Sequence, residues 1–410
     1  MKIGRFGKPL ALFALAMVLG FAGCNQNAEE DGESGGGGDS SATRLVENAW
    51  TDGKISKEGQ VKKYTVDVTK GTRYFIWLND SEEGDRTKTA NAGLKISHED
   101  GTVIRDSYTS WLYTKPLTFS ASSTGTVTIT VAAYDWGWEK GTGTYAIRYT
   151  SRSEYDTLTE EKWKDDSIIA TGQTNKYTFT AAEKTRYFIY LNDTDAGSGI
   201  TTKTADVGLK IAHSDGSVIC DNYDSADSLY SEPYTFISSI YDTITITVAS
   251  HSGGWATGSW ETGTGTYAVK YTSRPEYITL SESAWYEDDI ITKGQTNKYY
   301  ISVVKGMSYS IYLDDTDAGS GITSKTADVG LKIFYAGGKI ICDNYGSADS
   351  LYAEPYTFTA TSTDTITITA ASPSGGWATG SWETGTGTYA IKYEIVNQGQ
   401  NVYPELGYGN

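Results

Sequence analysis

Thr243-Ile-Thr-Ile-Thr-Val248 alternates hydroxyl and apolar side chains without a break. Successive side chains on a strand point to opposite faces, so Ile244, Ile246 and Val248 share one face and the threonines the other. That is the pattern of a strand with a core on one side only. Neighbouring segments read the same way. Tyr187, Ile189 and Leu191 share a face; Tyr267, Val269 and Tyr271 point inward while Lys270 points out. Ser214-Asp-Gly-Ser217 separates Leu209-Lys-Ile211 from Val218-Ile219 and reads as a hairpin turn. Proline has no N–H for a ladder, so Pro233, like Pro116 and Pro355, marks a strand start or a sheet edge. The result is about seven or eight short strands and no convincing amphipathic helix, which pack best as two antiparallel sheets face to face.

This stretch is one copy of a unit written three times. Trp50, Trp163 and Trp285 stand near the unit starts. Lys63-Tyr64, Lys176-Tyr177 and Lys298-Tyr299 follow. Tyr74-Phe-Ile-Trp-Leu-Asn-Asp80 matches Tyr187-Phe-Ile-Tyr-Leu-Asn-Asp193 and Tyr309-Ser-Ile-Tyr-Leu-Asp-Asp315, and Gly93-Leu-Lys-Ile96 matches Gly208-Leu-Lys-Ile211 and Gly330-Leu-Lys-Ile333. Residues 252–268 recur letter for letter at 374–390, so Trp255 to Trp377 is 122 residues. A unit of that length is domain-sized. The expectation is three beads in series, at 44–152, 153–274 and 275–398, with a loose tail at 399–410.

The chain has 410 residues, of which 13% are aromatic, 45 Gly and a formal net charge of −17. Tyr, Thr and Gly in these amounts belong to a β-rich protein. The negative surface repels nucleic acid and anionic lipid, so no nucleic-acid partner is expected, and solubility accounts for the charge.

Lys2, Arg5 and Lys8 precede an apolar run at 10–21, too short for a comfortable transmembrane helix and about right for a signal peptide at 1–23. The run ends in Phe21-Ala22-Gly23-Cys24. Small residues before a cysteine resemble the bacterial lipobox, with Phe21 in place of the usual leucine, a relaxation familiar in spirochaetes. The resemblance implies cleavage before Cys24 and diacylglycerol on its sulfur. An ordinary signal peptide with a chance cysteine is the alternative. Residues 24–43, rich in Gly, Ser and acids, form a flexible tether. The expected location is therefore outside the cytoplasm, anchored by lipid to the bacterial membrane, at the outer membrane or cell surface.

Within unit two, Trp163, Gly172, Tyr177, Tyr187, Ile189, Leu191, Asp193, Leu209, Ile211, Asp215, Gly216, Gly265, Tyr267, Val269 and Tyr271 form an ordered set. It resembles bacterial pre-peptidase C-terminal (PPC) domains, and tandem copies behind a lipid anchor resemble spirochaete surface lipoproteins. The resemblance implies an all-β chain of three tandem jelly-roll-like antiparallel β-sandwich domains after the signal peptide and tether. Such domains are appended to secreted enzymes, where they are thought to aid secretion, adhesion or polymer binding. This chain departs from the pattern in having no catalytic domain beside them, which favours a stand-alone binding or structural protein.

Three features are candidates for function. Trp255 and Trp260 lie in a glycine-rich loop, copied at Trp377 and Trp382 and in changed form at Trp136 and Trp138. Exposed indoles make platforms for sugar rings, and repeated weak sites gain by avidity. The bland alternative is that these tryptophans plug sandwich ends and pack between beads. Second, Asp193 and Asp195, with Asp315 and Asp317, could supply oxygen ligands to Ca²⁺; Asp206 and Asp328 would add another, and Asp80-Ser-Glu82 is a weaker version. Asp-Gly loops are otherwise turns. No other cofactor is expected. Third, Cys220 and Cys342 occupy one position in two beads, where Arg105 stands in unit one, and read as strand cysteines outside any disulfide. Trp50, Trp163 and Trp285 read as core or inter-bead packing.

Catalysis is not expected. His98, His213 and His251 form no recurring Ser/His/Asp or Cys/His set, although acid pairs leave a glycosidase open on residue content alone. The expected partner is an extracellular glycan or other polymer held by the tryptophan loops; the alternative is a structural or adhesive role toward a host or matrix protein.

Overall fold

The computed structural model describes residues 42–396, apart from 82–83, 85–86, 108–111, 134–141, 170–172, 198, 224–227, 251–263, 320, 346–349 and 373–385. Bead one holds β1 (Thr43–Arg44), β2 (Thr51–Ile55), β3 (Val61–Val68), β4 (Thr72–Asn79), β5 (Ala92–His98), β6 (Val103–Ser107), β7 (Leu117–Ser120), β8 (Gly125–Ala133) and β9 (Gly143–Ser153). Bead two holds β10 (Tyr155–Thr157), β11 (Lys164–Ile168), β12 (Thr174–Ala181), β13 (Thr185–Asn192), β14 (Val207–Ala212), β15 (Val218–Tyr223), β16 (Tyr234–Ser238), β17 (Asp242–Ser250) and β18 (Gly265–Pro275). Bead three holds β19 (Tyr277–Thr279), β20 (Tyr286–Ile290), β21 (Thr296–Val303), β22 (Ser308–Asp314), β23 (Gly330–Tyr335), β24 (Ile340–Tyr345), β25 (Tyr356–Thr359), β26 (Asp364–Ala371) and β27 (Gly387–Val396). Among the described residues, no helix is long and apolar enough to cross a membrane.

Each bead is two sheets. In bead one, β3-β8-β5-β6 form one sheet, extended by β1 lying parallel to β3, and β2-β9-β4-β7 form the other. Beads two and three repeat both orders strand for strand. Without the parallel edge strand, the eight remaining strands have the connectivity of a jelly roll, two Greek keys wound into facing sheets. The chain is therefore all-β, with jelly-roll sandwiches in tandem. The ninth strand is only two or three residues long in each bead, too short to announce itself by alternation.

The register follows the side-chain pattern. β17 runs between β12 and β14, and Ile244, Ile246 and Val248 are wholly buried. The Asp-Gly turn closes β14 onto β15, with His213 N–H donating to the Ser217 carbonyl at 2.9 Å and Gly216 at φ 86°. Pro116, Pro233 and Pro355 immediately precede β7, β16 and β25, the edge strands of the smaller sheets, where a missing donor is tolerated. Three separate apolar cores result, one per bead. β27 pairs with β22 as far as Val396, inside the range expected for bead three, and the tail at 399–410 lies outside the described residues.

Each core contains two tyrosines whose hydroxyls meet: Tyr64 and Tyr145 at 2.7 Å, then Tyr177 with Tyr267 and Tyr299 with Tyr389. In beads two and three a carboxylate joins them. Tyr177 donates to Asp166 and Tyr299 to Asp288, each at 2.5 Å. The matching position in bead one, opposite Tyr145 in the ladder, is Gly53. A Cβ there would lie 2.3 Å from the Tyr145 ring, so no side chain fits without moving it.

The other partner of each carboxylate comes from the preceding bead. Arg152, near the end of β9, donates to both oxygens of Asp166 at 2.7 Å, and Arg274 in β18 donates to Asp288 at 2.6 Å. A second arginine on the adjoining strand crosses as well: Arg73 reaches the carbonyl and hydroxyl of Thr174, and Arg186 the carbonyl of Thr296. One residue separates β9 from β10 and β18 from β19, so the junctions are short and doubly held. In bead three the two arginine positions are Ser308 and Val396.

Candidate functional site

The acidic loop is built from the end of β13. Asp193 caps a 3-10 turn, Thr194–Ala196, and its Oδ1 accepts from the Asp195 N–H at 3.0 Å. A short carboxylate side chain can take an N–H two residues on, which is why Asp-Thr-Asp folds this way. The second oxygen, Oδ2, accepts from the Val207 N–H at 3.4 Å, at the start of β14. The turn is thereby tied to the segment that carries Asp206. Ligand oxygens of Asp193, Asp195 and Asp206 all lie within 4.8 Å of one another. Bead three repeats the arrangement with Asp315, Asp317 and Asp328, through bonds of 3.1 and 3.2 Å.

Asp193 and Asp315 are 3% and 2% exposed. Burial, with Asp195 and Asp206 adding like charge, pushes the Asp193 carboxyl up to about 7 despite its backbone hydrogen bonds. Burial likewise raises Asp315 to about 7, against the Val329 N–H bond and with the charge of Asp317. Buried among like charges, the Asp193 and Asp315 carboxyls favour a bound proton or a nearby cation. The donors are all hard oxygens, which suits Ca²⁺. Asn192 and Asp314, just before the capping residues, each bury a side-chain oxygen that has no hydrogen-bond partner. The residues present therefore fit a cation. Bead one keeps Asp80, 2% exposed and accepting from the Ala92 N–H at 3.3 Å, but has Asn91 where bead two has Asp206. Glu82 lies outside the described residues.

The same segment roots the tryptophan loop. Ser250, the last residue before the loop, pairs with Val207. On the far side, the Thr266 carbonyl accepts from the N–H groups of Thr204 and Ala205, both at 3.0 Å, while the Thr266 N–H donates to the Thr204 hydroxyl. The two stems thus grip residues 204–207, with Asp206 between them. Gly265 sits at φ 145°, and a Cβ there would lie 2.5–2.7 Å from Thr204 and Ala205. Glycine is the residue that permits this approach. Gly387 against Thr326 and Ala327, and Gly143 against Thr89 and Ala90, repeat it. Trp136, Trp138, Trp255, Trp260, Trp377 and Trp382 themselves, like Cys24, lie outside the described residues.

Trp50, Trp163 and Trp285, read from the sequence as core or inter-bead packing, take a different place. Trp50, Trp163 and Trp285 are 39%, 37% and 38% exposed and belong to no core. Each instead packs on an aromatic cluster of its own bead. The Trp163 ring lies nearly parallel to Tyr230 at 5.8 Å and edge-on to Tyr190, with the Lys270 ammonium 4.9 Å from its centroid. Trp285, Tyr352, Tyr312 and Lys392 repeat the cluster; Trp50, Tyr113, Trp77 and Arg148 form its counterpart in bead one. Sequence reading foresaw Lys270 as outward but not that an indole would lie under it. Cys220 and Cys342 are buried on β15 and β24, opposite Ile211 and Ile333, and form no disulfide.

No family model and no curated protein matches this chain. Among solved structures it is similar to the CUB1-EGF-CUB2 domain of human MASP-1/3, at 10% identity over 56% of this chain and 99% of that one, TM-score 0.17. It is also similar to the triple jelly roll of an archaeal virus turret assembly, at 11% identity over 85% and 89%, TM-score 0.17. A third is the M60 catalytic domain with CBM51-1 and CBM51-2 from Clostridium perfringens ZmpB, at 8% identity over 86% of this chain and 38% of that one, TM-score 0.17. Likeness at that level decides nothing about this chain, whose jelly-roll connectivity stands on its own strand pairing.

Proposed function

We propose that this is a non-catalytic, lipid-anchored surface protein whose PPC-like beads hold an extended extracellular glycan or similar polymer through the paired-tryptophan loops. The observation that carries the reading is the root of those loops. In each bead a positive-φ glycine and a three-bond clamp fix the loop's exit, and in beads two and three this happens beside a largely buried carboxylate cluster. A loop that only filled space would need no such foundation. The same pattern of support in successive beads suits a ligand long enough to meet more than one of them. A cation on the carboxylates would stiffen the root.

The carboxylates themselves favour binding over hydrolysis. Those of Asp193 and Asp315 cap turns and are buried, whereas a glycosidase needs two carboxyl groups open to the sugar and flanking its scissile bond. A structural role through protein contacts is the second reading, favoured by the double arginine links at each junction. A glycan array probed with the whole chain separates them: retention on at least one polymer supports the first, and a blank array with matrix-protein binding supports the second.

A further inference from the structure

The outer face of the larger sheet carries a groove in bead three that beads one and two lack the walls to form. It has a volume of about 520 Å³ and is lined by Tyr277, Lys298, Tyr300, Phe334, Ala336 and two threonines, Thr365 and Thr367. Its cross-section is one ladder row. Tyr300 on β21 and Phe334 on β23 both pair with Thr367 on the central strand β26. Two strand spacings therefore separate the rings, about 10 Å between backbones, with threonine hydroxyls as the floor. Tyr277, on the strand outside β21, stacks on Tyr300 at 4.6 Å and 10°, backing that wall. The matching row in bead two is Thr178, Thr245 and Ala212, and in bead one Thr65, Thr128 and Ser97. Tyr155, Lys176 and the threonine floor persist in bead two; the two aromatic walls do not.

We infer that this groove is a second ligand site, specific to bead three, for a short segment of a neutral oligosaccharide. The volume is that of an ordinary small-ligand site. Aromatic walls offer flat apolar surface to the C–H faces of a sugar, and hydroxyls in the floor meet its own hydroxyls. A peptide strand is a poorer occupant. β26 is paired on both sides, so the floor offers no backbone N–H or carbonyl for strand addition. The charge points to a neutral ligand: Lys298 is already matched by Glu276 at 2.9 Å, and the chain as a whole is strongly acidic. The site shares a ligand class with the tryptophan loops but no residue, and it stands if those loops bind nothing.

Isothermal titration of the whole chain with neutral hexasaccharides of β-glucan, mannan, xylan and chitin, with hexagalacturonate and a proline-rich peptide as controls, tests it. Expected is binding of at least one neutral hexasaccharide, weakened about tenfold or more in Tyr300→Thr/Phe334→Ala and unchanged in Trp255→Ala/Trp377→Ala. The groove variant installs the threonine found in both other beads, and its folding is checked by an unchanged melting profile. The converse variant, Thr178→Tyr/Ala212→Phe, builds the walls in bead two and should add a second equivalent of bound sugar. Binding by no neutral hexasaccharide, or binding untouched by the groove variant, overturns the site. Binding of only hexagalacturonate or only the peptide overturns its ligand class. A loss confined to the tryptophan variant assigns the sugar to the loops alone.

Discussion

The guanidinium of Arg152, near the end of the last strand of bead one, holds both carboxylate oxygens of Asp166 in bead two at 2.7 Å. Asp166 in turn accepts from Tyr177, whose hydroxyl meets Tyr267 in the core. An interdomain contact is thus continuous with the interior of the second bead. Removing the arginine strands a largely buried carboxylate. Arg152→Ala is expected to lower the stability of bead two by about 3 kcal/mol and to leave bead one nearly unchanged. Arg274→Ala should do the same to bead three. Calorimetry that resolves separate transitions checks this; an equal loss in all beads would contradict it.

Tyrosine hydroxyls give an internal comparison. Tyr177→Phe removes a donor to Asp166, whereas Tyr64→Phe in bead one removes only a bond to Tyr145. The first should cost about 2 kcal/mol and the second about 1 kcal/mol, measured by denaturant unfolding.

The acidic clusters make a pH prediction. Asp193 and Asp315 are raised in the folded chain to about 7, above the ordinary range that they have when unfolded. Between roughly pH 4 and 7 the folded state therefore binds more protons than the unfolded state, so stability falls as pH rises through that window. In chelator, beads two and three should each lose roughly 3 kcal/mol on going from pH 5 to pH 8. Millimolar calcium should restore it at pH 8, because a cation that binds only the folded state stabilises it. Asp193→Asn should abolish both effects in bead two. Melting curves that are the same with calcium and with chelator at pH 8 would contradict a cation site.

The glycine at the loop exit links stability to binding. Gly265→Ala places a methyl against the backbone of Thr204 and Ala205 at an unfavourable φ. A loss of about 3 kcal/mol in bead two is expected, with weaker polymer binding at temperatures where the bead remains folded. Unchanged stability would mean that the clamp is not rigid.

Much of the fold was legible in the sequence because strands declare themselves locally. The Thr243–Val248 alternation, the Asp-Gly turn and the three prolines all depend on neighbours in sequence, and each stands where its pattern put it. What depends on neighbours in space was not legible. Trp163 sits in polar sequence, yet its ring partners come from positions 190, 230 and 270, so its exposed cluster could not be seen from its surroundings. The junction did leave a trace: Arg152 recurs as Arg274 and Asp166 as Asp288, while Gly53 and Val396 break each series at its end. Recognising the trace requires knowing that these positions touch. The acidic cluster was visible as residues, since Asp193 and Asp195 stand two apart and Asp206 was expected to join them, but it is the Val207 N–H bond to Asp193 that brings Asp206 beside the pair.

The central claim is that the paired tryptophans bind an extended glycan. Its most direct test is the affinity of the whole chain for the polymer that it retains best, compared with the Trp255→Ala/Trp377→Ala double variant, both confirmed as folded. The account predicts a loss well beyond tenfold in the double variant, because removing two linked sites removes their avidity as well. Equal affinity in the two chains would contradict it.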